Sequence, residues 1–307
     1  VKVLVVGVGG ALARLVALQL RHAGHTVIGM DRRPWWDHPK DIAVFEVDLR
    51  KRAAEDVVRT QRPDCVVHMA TVNALSAAGE ERARINLGGT RAIFEHSVKH
   101  GVQHVVFVGR HTYYGATADS PLYHTEDEPP QGMGRFPELA DLVAADLLAA
   151  NMLWREPRLT TTVLRLVYTL GPSQSGTLAA FLRGRRVPMV LGFDPLFHFL
   201  DEGDAARAIT AAVERKARGI FNVAGPPPVP LSTIIRETGR APAPMPEPLL
   251  AALLGRFGLP ALPRGALEHI KFPIVVDARA FRAATGFAHE VGEVEALRRY
   301  ARQTAAR

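Results

Sequence analysis

Apolar and polar positions follow two rhythms along this chain. Val3 to Val6, Thr26 to Met30, Ala43 to Val47, Cys65 to Met69, His104 to Val108 and Thr160 to Val167 are short runs rich in apolar and β-branched residues. Runs of this kind predict strands buried on both faces. Between them lie stretches with helical spacing, over residues 11–22, 51–61, 79–100 and 137–154, closed by Gly24, Pro63, Gly101 and the polar turn before Thr160. Strands alternating with helices in this way predict β-α-β units, and hence an α/β fold with a doubly wound parallel sheet of the Rossmann type. The loop over 116–136, rich in Pro, Asp and Glu, is long enough to be functional or mobile.

The rhythm weakens after Gly171. A helix over 177–183, a strand over 197–200, a helix over 202–216, a strand over 219–223 and a last helix over 291–302 are predicted. Residues 242–263 are apolar but punctuated by proline. The expectation is a dinucleotide-binding Rossmann domain over 1–170, with 193–225 returning to it. A smaller, mostly helical substrate lobe over 171–192 and 226–307 then caps the carboxyl edge of the sheet.

The first thirty-one residues carry the most specific signal. The first strand runs into Gly7, Gly9 and Gly10, then into Ala11-Leu12-Ala13 and a helix; the second strand ends on Asp31. Glycines at such a turn let the backbone approach a pyrophosphate, which sits on the N–H groups of the helix N-terminus. An acid about twenty residues on is placed to accept hydrogen bonds from an adenosine ribose. Asp31 would repel a 2′-phosphate and favours NAD, whereas Arg32 and Arg33 could receive one, so the cofactor expectation is NADP or NAD.

Composition narrows the class. Hydrophobic residues make up 47% of 307, enough for a substantial core, and no apolar run reaches membrane-spanning length. The first residues read as a strand, not a signal peptide. The single cysteine, Cys65, excludes an internal disulfide and a cysteine zinc site and reads as core. The twelve histidines show no metal-ligand spacing, so no metal is expected. The net charge of +7 is scattered, without a basic stripe interleaved with aromatics. These features point to a cytoplasmic protein with a small-molecule substrate and no nucleic-acid or membrane partner. A homodimer is the expected assembly.

The chain resembles the extended short-chain dehydrogenase/reductase family, the NAD-dependent epimerases and dehydratases. The resemblance rests on Gly7 and Gly10, Asp31, Asp48-Leu49, His68-Met69-Ala70, Asn86 with Gly89-Thr90, and Tyr114-Gly115. It continues through Arg165, Gly171-Pro172, Asp204 with Ala206-Arg207-Ala208, and Phe221 to Gly225. It implies that Asp48-Leu49 lies by the adenine and that Ala70 lines the path to the nicotinamide. The cofactor-binding candidates are thus Gly7, Gly9, Gly10, Leu12, Asp31, Arg32, Arg33, Asp48, Leu49, Met69, Ala70 and Thr71.

The departures concern catalysis. The resemblance implies a Tyr four residues before a Lys on the helix after the fifth strand, and a Ser or Thr four residues before Tyr114. Here those places hold Glu138, Leu142 and Arg110, and none of the five tyrosines has a lysine four residues later. An Asn that holds the nucleotide-sugar in sugar-nucleotide enzymes is Tyr168. The angucyclinone ketoreductase of simocyclinone biosynthesis is similar in lacking this machinery.

Three readings follow: an NAD(P)H-dependent ketoreductase acting on an activated, largely apolar ketone; a sugar-nucleotide epimerase or dehydratase with relocated acid–base groups; and a dinucleotide-binding regulatory protein. The candidates near the reacting carbon are Arg110, Thr112 and His111 as catalytic groups, His111 for a pKa suited to proton exchange. Asn73, Tyr113 and Tyr168 are the substrate-binding candidates. Leu249, Leu250, Leu253, Leu254, Phe257 and Leu259 are expected either to cover an apolar ligand or to pack as ordinary core.

Overall fold

A computed structural model of the chain describes residues 1–72, 79–131, 133–134, 136–256 and 259–305. Its centre is a seven-stranded sheet. The strands are β1 (Lys2–Val6), β2 (Thr26–Asp31), β3 (Ala43–Glu46), β4 (Cys65–His68), β5 (His104–Arg110) and β6 (Thr160–Leu166). They are followed by β7 (Tyr168–Leu170), β8 (Arg186–Val190), β9 (Leu196–Phe197), β10 (Phe199–Asp201), β11 (Gly219–Val223), β12 (Val229–Pro230) and β13 (Ala241–Met245). The sheet order is β11-β6-β5-β4-β1-β2-β3 with every pairing parallel. The order reverses between β1 and β4. That reversal opens a crevice beyond the carboxyl ends of the strands, where ligands of such sheets bind.

The apolar runs do what their composition predicts. In β1, Val3 and Val5 join the core on one face while Leu4 and Val6 join the core on the other; β5 divides Val106 and Val108 from Val105 and Phe107 in the same way. Side chains alternate across a strand, so only a run apolar at every position satisfies both faces. The helices Ala11–His22 and Glu202–Glu214 cover one face, together with the segment from Ile274 to Phe287. The helices Arg52–Gln61, Gly89–Lys99 and Ala140–Arg155 cover the other. Cys65 is buried in the core, where loss of solvation raises its thiol pKa.

A further core is built by residues beyond the sheet. Leu170, Leu178, Phe181, Val187, Leu231, Ile234, Leu250, Ile270, Leu297 and Tyr300 meet in it. β8 and β13 pair in parallel beside it, with prolines at 242 and 244 inside β13. The prolines stand two apart, so both turn their missing donors away from β8. The bonding falls to the alternate residues: Ala241 N donates to Arg185 O and Leu191 N to Met245 O. The leucine stripe after Pro246 belongs to this core. Leu250 is fully buried and Leu254 and Leu259 pack against it, while Leu249 is exposed and Phe257 lies outside the described residues. Ordinary packing accounts for Leu250, Leu254 and Leu259.

Two loops are held more closely than their composition suggests. The helix expected over 79–100 is interrupted by a π-turn at Arg84–Gly88, which delivers the buried Asn86 to the backbone of Val72. The segment after Tyr114 is pinned at the sheet edge. The ring of His124 stacks on Tyr114 with centroids 4.7 Å apart, and Asn222 N donates to Glu126 Oε1 at 2.8 Å.

Candidate active site

One cleft of about 580 Å³ runs along the carboxyl edge of the sheet. It collects the turn after β1, the ends of β2 and β3, residues 69–72 after β4, residues 108–112 at the end of β5, and residues 166–169 after β6. All twelve cofactor-binding candidates line it, from Gly7 to Thr71, as do Arg110, Thr112, His111 and Tyr168. Asn73 lies outside the described residues.

The β1 end is shaped for a phosphate-bearing ligand. Gly7 has φ +96°, and a Cβ there would stand 2.7 Å from the amide of Ala70. Gly10 is different: a Cβ would meet nothing closer than Gly7 O at 3.4 Å, so its side faces open space. The first intrahelical bond runs from Arg14 N to Gly10 O, and no side chain caps the helix. The amides of Ala11, Leu12 and Ala13 therefore have no intrahelical partner and face the cleft, at the positive end of the helix dipole. Such orphan donors fit a pyrophosphate.

Asp31 is more committed than its position predicts. It is 7% exposed, its Oδ2 accepts from Gly9 N at 2.9 Å and its Oδ1 from Arg33 N at 2.8 Å. It thereby ties the glycine turn to the end of β2. Each oxygen keeps a second lone pair for a ribose hydroxyl. Arg32 and Arg33 are exposed at the rim. Asp48 is gripped by Arg50, with Nη2 2.6 Å from Oδ2, and this contact holds the carboxyl down at about 2 against its desolvation.

The β5 and β6 end gathers the catalytic candidates Arg110, Thr112 and His111. Arg110 Nη1 donates to Thr177 Oγ1 at 3.4 Å. Burial lowers the guanidinium to about 10, with Tyr168 opposing, so Arg110 stays a cation at neutrality. The phenol of Tyr168 is pushed up to about 12 by the same burial, with Arg110 opposing, and stays neutral. Helix Ala140–Arg155 turns Leu142 and Val143 toward this end, with Leu139 just before it. They close a gap of about 20 Å³ that also touches Thr71, Gly109, Arg110 and Thr112. An apolar wall stands where a lysine would project.

One expectation is corrected. His111 is not poised for proton exchange near neutrality. It is 1% exposed, and desolvation, aided by His198, His269 and Arg110, drives its pKa well below 6.5 against a bond to Leu166 O. Tyr113 lies outside the large cleft and lines the small gap with Arg110 and Thr112. The strand ends at Arg110, a 3-10 turn begins at His111, and Tyr113 swings under the sheet edge onto the Arg165 guanidinium, 3.5 Å from its ring centroid. His68, in the core of β4, is bonded through Nε2 to Thr90 Oγ1 at 2.9 Å.

Sequence reading missed the buried support behind this end. Arg165 donates to Asp146 Oδ1 at 2.8 Å and to the Tyr114 hydroxyl at 3.0 Å, and that hydroxyl donates to Asn222 Oδ1 at 2.7 Å. Burial pulls Arg165 toward neutrality, but Asp146 outweighs it and raises its pKa. The signal was present as charged residues at core positions, Asp146 on an apolar helix and Arg165 in an apolar strand. A second network joins Arg82, Asp141 and Asn86, with Asn86 Nδ2 donating to Asp141 Oδ2 at 2.6 Å.

Residues 3–224 match the profile of the NAD dependent epimerase/dehydratase family. The chain belongs to this family. An uncharacterized protein of Mycobacterium tuberculosis (strain ATCC 25618 / H37Rv) is 30% identical over 264 residues, covering 83% of this chain and 69% of its own. The UDP-glucose 4-epimerase of Bacillus subtilis (strain 168) is 28% identical over 198 residues, 57% of this chain and 55% of its own. Among solved structures, MoeE5 in complex with UDP-glucuronic acid and NAD aligns over 100% of this chain and 99% of its own, with a TM-score of 0.79 and 22% identity. The Thermus thermophilus UDP-glucose 4-epimerase complex with NAD aligns over 99% of both chains, with a TM-score of 0.78 and 22% identity. At that identity the structures share the fold of this epimerase/dehydratase chain. Among its described residues no helix is long and apolar enough to cross a membrane.

Proposed function

We propose that this protein is an NAD(P)H-dependent ketoreductase for an activated, largely apolar ketone. The observation that carries the reading is the β5 end of the cleft. There a desolvated Arg110 stands beside Thr112 and Tyr168, against a wall of Leu139, Leu142 and Val143. The orphan amides of Ala11 to Ala13, with Asp31 and the Arg32-Arg33 rim, would hold the dinucleotide. Bound NAD(P)H supplies the hydride. The chain's own residues have two tasks: to hold the ketone against it, worth roughly 7–11 kcal/mol as pre-organisation, and to meet the negative charge that develops on the carbonyl oxygen. Arg110 is the cation of this end, half-buried and bonded to Thr177, and a preorganised donor aimed at that charge lowers the barrier. No tyrosine–lysine pair is available to finish protonation. A ketone conjugated to a quinone or flanked by a phenol spreads the charge itself, which is why the substrate is activated.

The epimerase reading keeps one specific support, the Bacillus subtilis UDP-glucose 4-epimerase among the relatives. Epimerisation needs a base on an unactivated hydroxyl, help worth roughly 10²–10⁴ in rate. Neither a depressed His111 nor Leu142 offers it. The experiment sets NADH and NADPH oxidation with activated aromatic ketones against turnover of UDP- and dTDP-sugars. We expect ketone turnover that falls about 10²–10³-fold in Arg110→Ala. Turnover of the sugars alone would move the assignment to an epimerase. Tight cofactor binding with no turnover of either would make the protein a dinucleotide sensor.

A further inference from the structure

Among the arginines that line the cleft, Arg110 is the one held inside it without a carboxylate. Arg50 grips Asp48 with Nη2 2.6 Å from Oδ2, and Arg33 Nε stands 3.5 Å from Asp31 Oδ1, both at the cofactor end. Arg32 is exposed at the rim. The buried Arg82 and Arg165, outside the cleft, carry Asp141 and Asp146. Arg110 is half-buried, and among the described residues its guanidinium makes one hydrogen bond, from Nη1 to Thr177 Oγ1 at 3.4 Å. The cleft lining around it, over 108–112, 166–169 and 175–177, contains no acid. Asp146 touches the small gap beside Arg110 but is held by Arg165 at 2.8 Å. Against burial, only the neutral phenol of Tyr168 favours the charge on Arg110.

The free part of this cation has a definite shape. With Nη1 engaged, Nε and Nη2 remain. Neither has a hydrogen-bond partner among the described residues, and neither is closed off from solvent. Together they form the side edge of the guanidinium, two parallel N–H groups that match two coplanar oxygens of one ligand. A half-buried cation has lost part of its hydration, and an anion restores that loss through charge-assisted hydrogen bonds. An edge of this kind, open at the end of the cleft away from the glycine turn, calls for a negatively charged, two-oxygen group on the substrate.

We infer that the substrate is an anion whose ionised oxygen sits on the carbon next to the ketone carbon and in its plane, so that Arg110 takes one oxygen with Nε and the other with Nη2. Two chemical sources supply that pair of oxygens: a carboxylate, as in an α-keto acid, and an acidic enol, as in a hydroxyquinone. The inference rests on the reductase reading for the fate of the ketone, whereas the preference for the anion is a matter of binding alone. A neighbouring charge makes a ketone a poorer hydride acceptor, and pairing with the guanidinium offsets that handicap. A neutral ester or ether keeps both oxygens and lacks the charge.

The test measures binding to the NAD-loaded protein by calorimetry, in two pairs of ligands. Phenylglyoxylate is set against its ethyl ester, and lawsone (a hydroxynaphthoquinone that is an anion at neutral pH) against its methyl ether. Wild type, Arg110→Met and Arg110→Lys are compared. The expected result is about tenfold tighter binding of the anion by wild type in at least one pair. That ratio should fall to about one in Arg110→Met. It should lie between the two in Arg110→Lys, which keeps the charge and loses the fork. A preference in the phenylglyoxylate pair alone assigns the carboxylate, and in the lawsone pair alone the enol. Equal binding within both pairs by wild type overturns the inference without any variant. So does a ratio unchanged in Arg110→Met; if NAD affinity falls there as well, the guanidinium belongs to the cofactor. A ratio in Arg110→Lys equal to that of wild type overturns the two-point contact. An Arg110-dependent preference with no oxidation of NADH or NADPH supports the recognition and removes only the reductase reading.

Discussion

Gly10 matters for the space beside it. Its backbone, at φ −83° and ψ 144°, is one that valine adopts readily, and a Cβ there meets no atom of the protein closer than 3.4 Å. Gly10→Val should therefore fold normally and lose NAD(P) binding, because the branched side chain fills the approach to the amides of Ala11 to Ala13. Gly7→Ala should fail for the other reason: φ +96° costs about 1–3 kcal/mol for a side chain, and its Cβ collides with the Ala70 backbone. Calorimetric titration with NADH and a melting curve separate the two. Unchanged affinity in a folded Gly10→Val would contradict the pyrophosphate assignment. At this scale the cofactor side of the cleft was legible, because a glycine turn between strand and helix constrains few side chains and these constrain it strongly. The reacting side was less so. Whether residues 110–113 face the cleft depends on where β5 ends and the 3-10 turn begins. Whether His111 titrates depends on burial and on Leu166, Arg110, His198 and His269, which a linear chain does not display.

The elements around the cleft are supported from behind. Arg165 on β6 and Asp146 on the helix Ala140–Arg155 are 1% and 2% exposed, and the pair carries Tyr113 and Tyr114 with it. Removing one partner leaves a buried charge alone. Asp146→Ala should cost about 3–5 kcal/mol in urea unfolding, and adding Arg165→Met should recover most of that loss. A loss within about 0.5 kcal/mol, the usual range for surface changes, would mean that the pair is solvated. The strands of the main sheet were legible because apolar residues at every position allow few alternatives to a strand covered twice. β13 was not, since a strand holding two prolines makes sense only once β8 shows which side carries the bonds. The π-turn at Arg84–Gly88 was hidden in a good helical pattern, and only its product, Asn86 reaching Val72, gives it a reason.

The molecule as a whole buries several histidines as neutral rings. His68, His104 and His198 are all nearly inaccessible, and burial lowers each from 6.5 to about 4. The unfolded chain binds those protons below about 6.5 while the folded chain refuses them until about 4. Stability is thus fully present above about pH 6.5 and declines as pH falls through that window. Tm should drop steadily between about pH 6.5 and 4 and vary little from about 6.5 to 8; a flat profile through the acid window would contradict the burial of these rings. The division of labour between sheet edge and outer core also belongs to this scale. The cleft takes its apolar character from Leu12, Leu49, Val108, Leu166 and Val167, while Leu139, Leu142 and Val143 line the small gap beside Arg110.

The central claim is hydride transfer to a ketone in a family member whose lysine place is Leu142. It is tested most directly by following deuterium from NADH or NADPH labelled at C4 into product by mass spectrometry, with an aryl ketone flanked by a phenol as acceptor. The account predicts one deuterium on the carbinol carbon with wild type, and a rate about 10²–10³-fold lower with Arg110→Ala. Ketone returned without label, while UDP-glucose is converted to its epimer by the same protein, would contradict it.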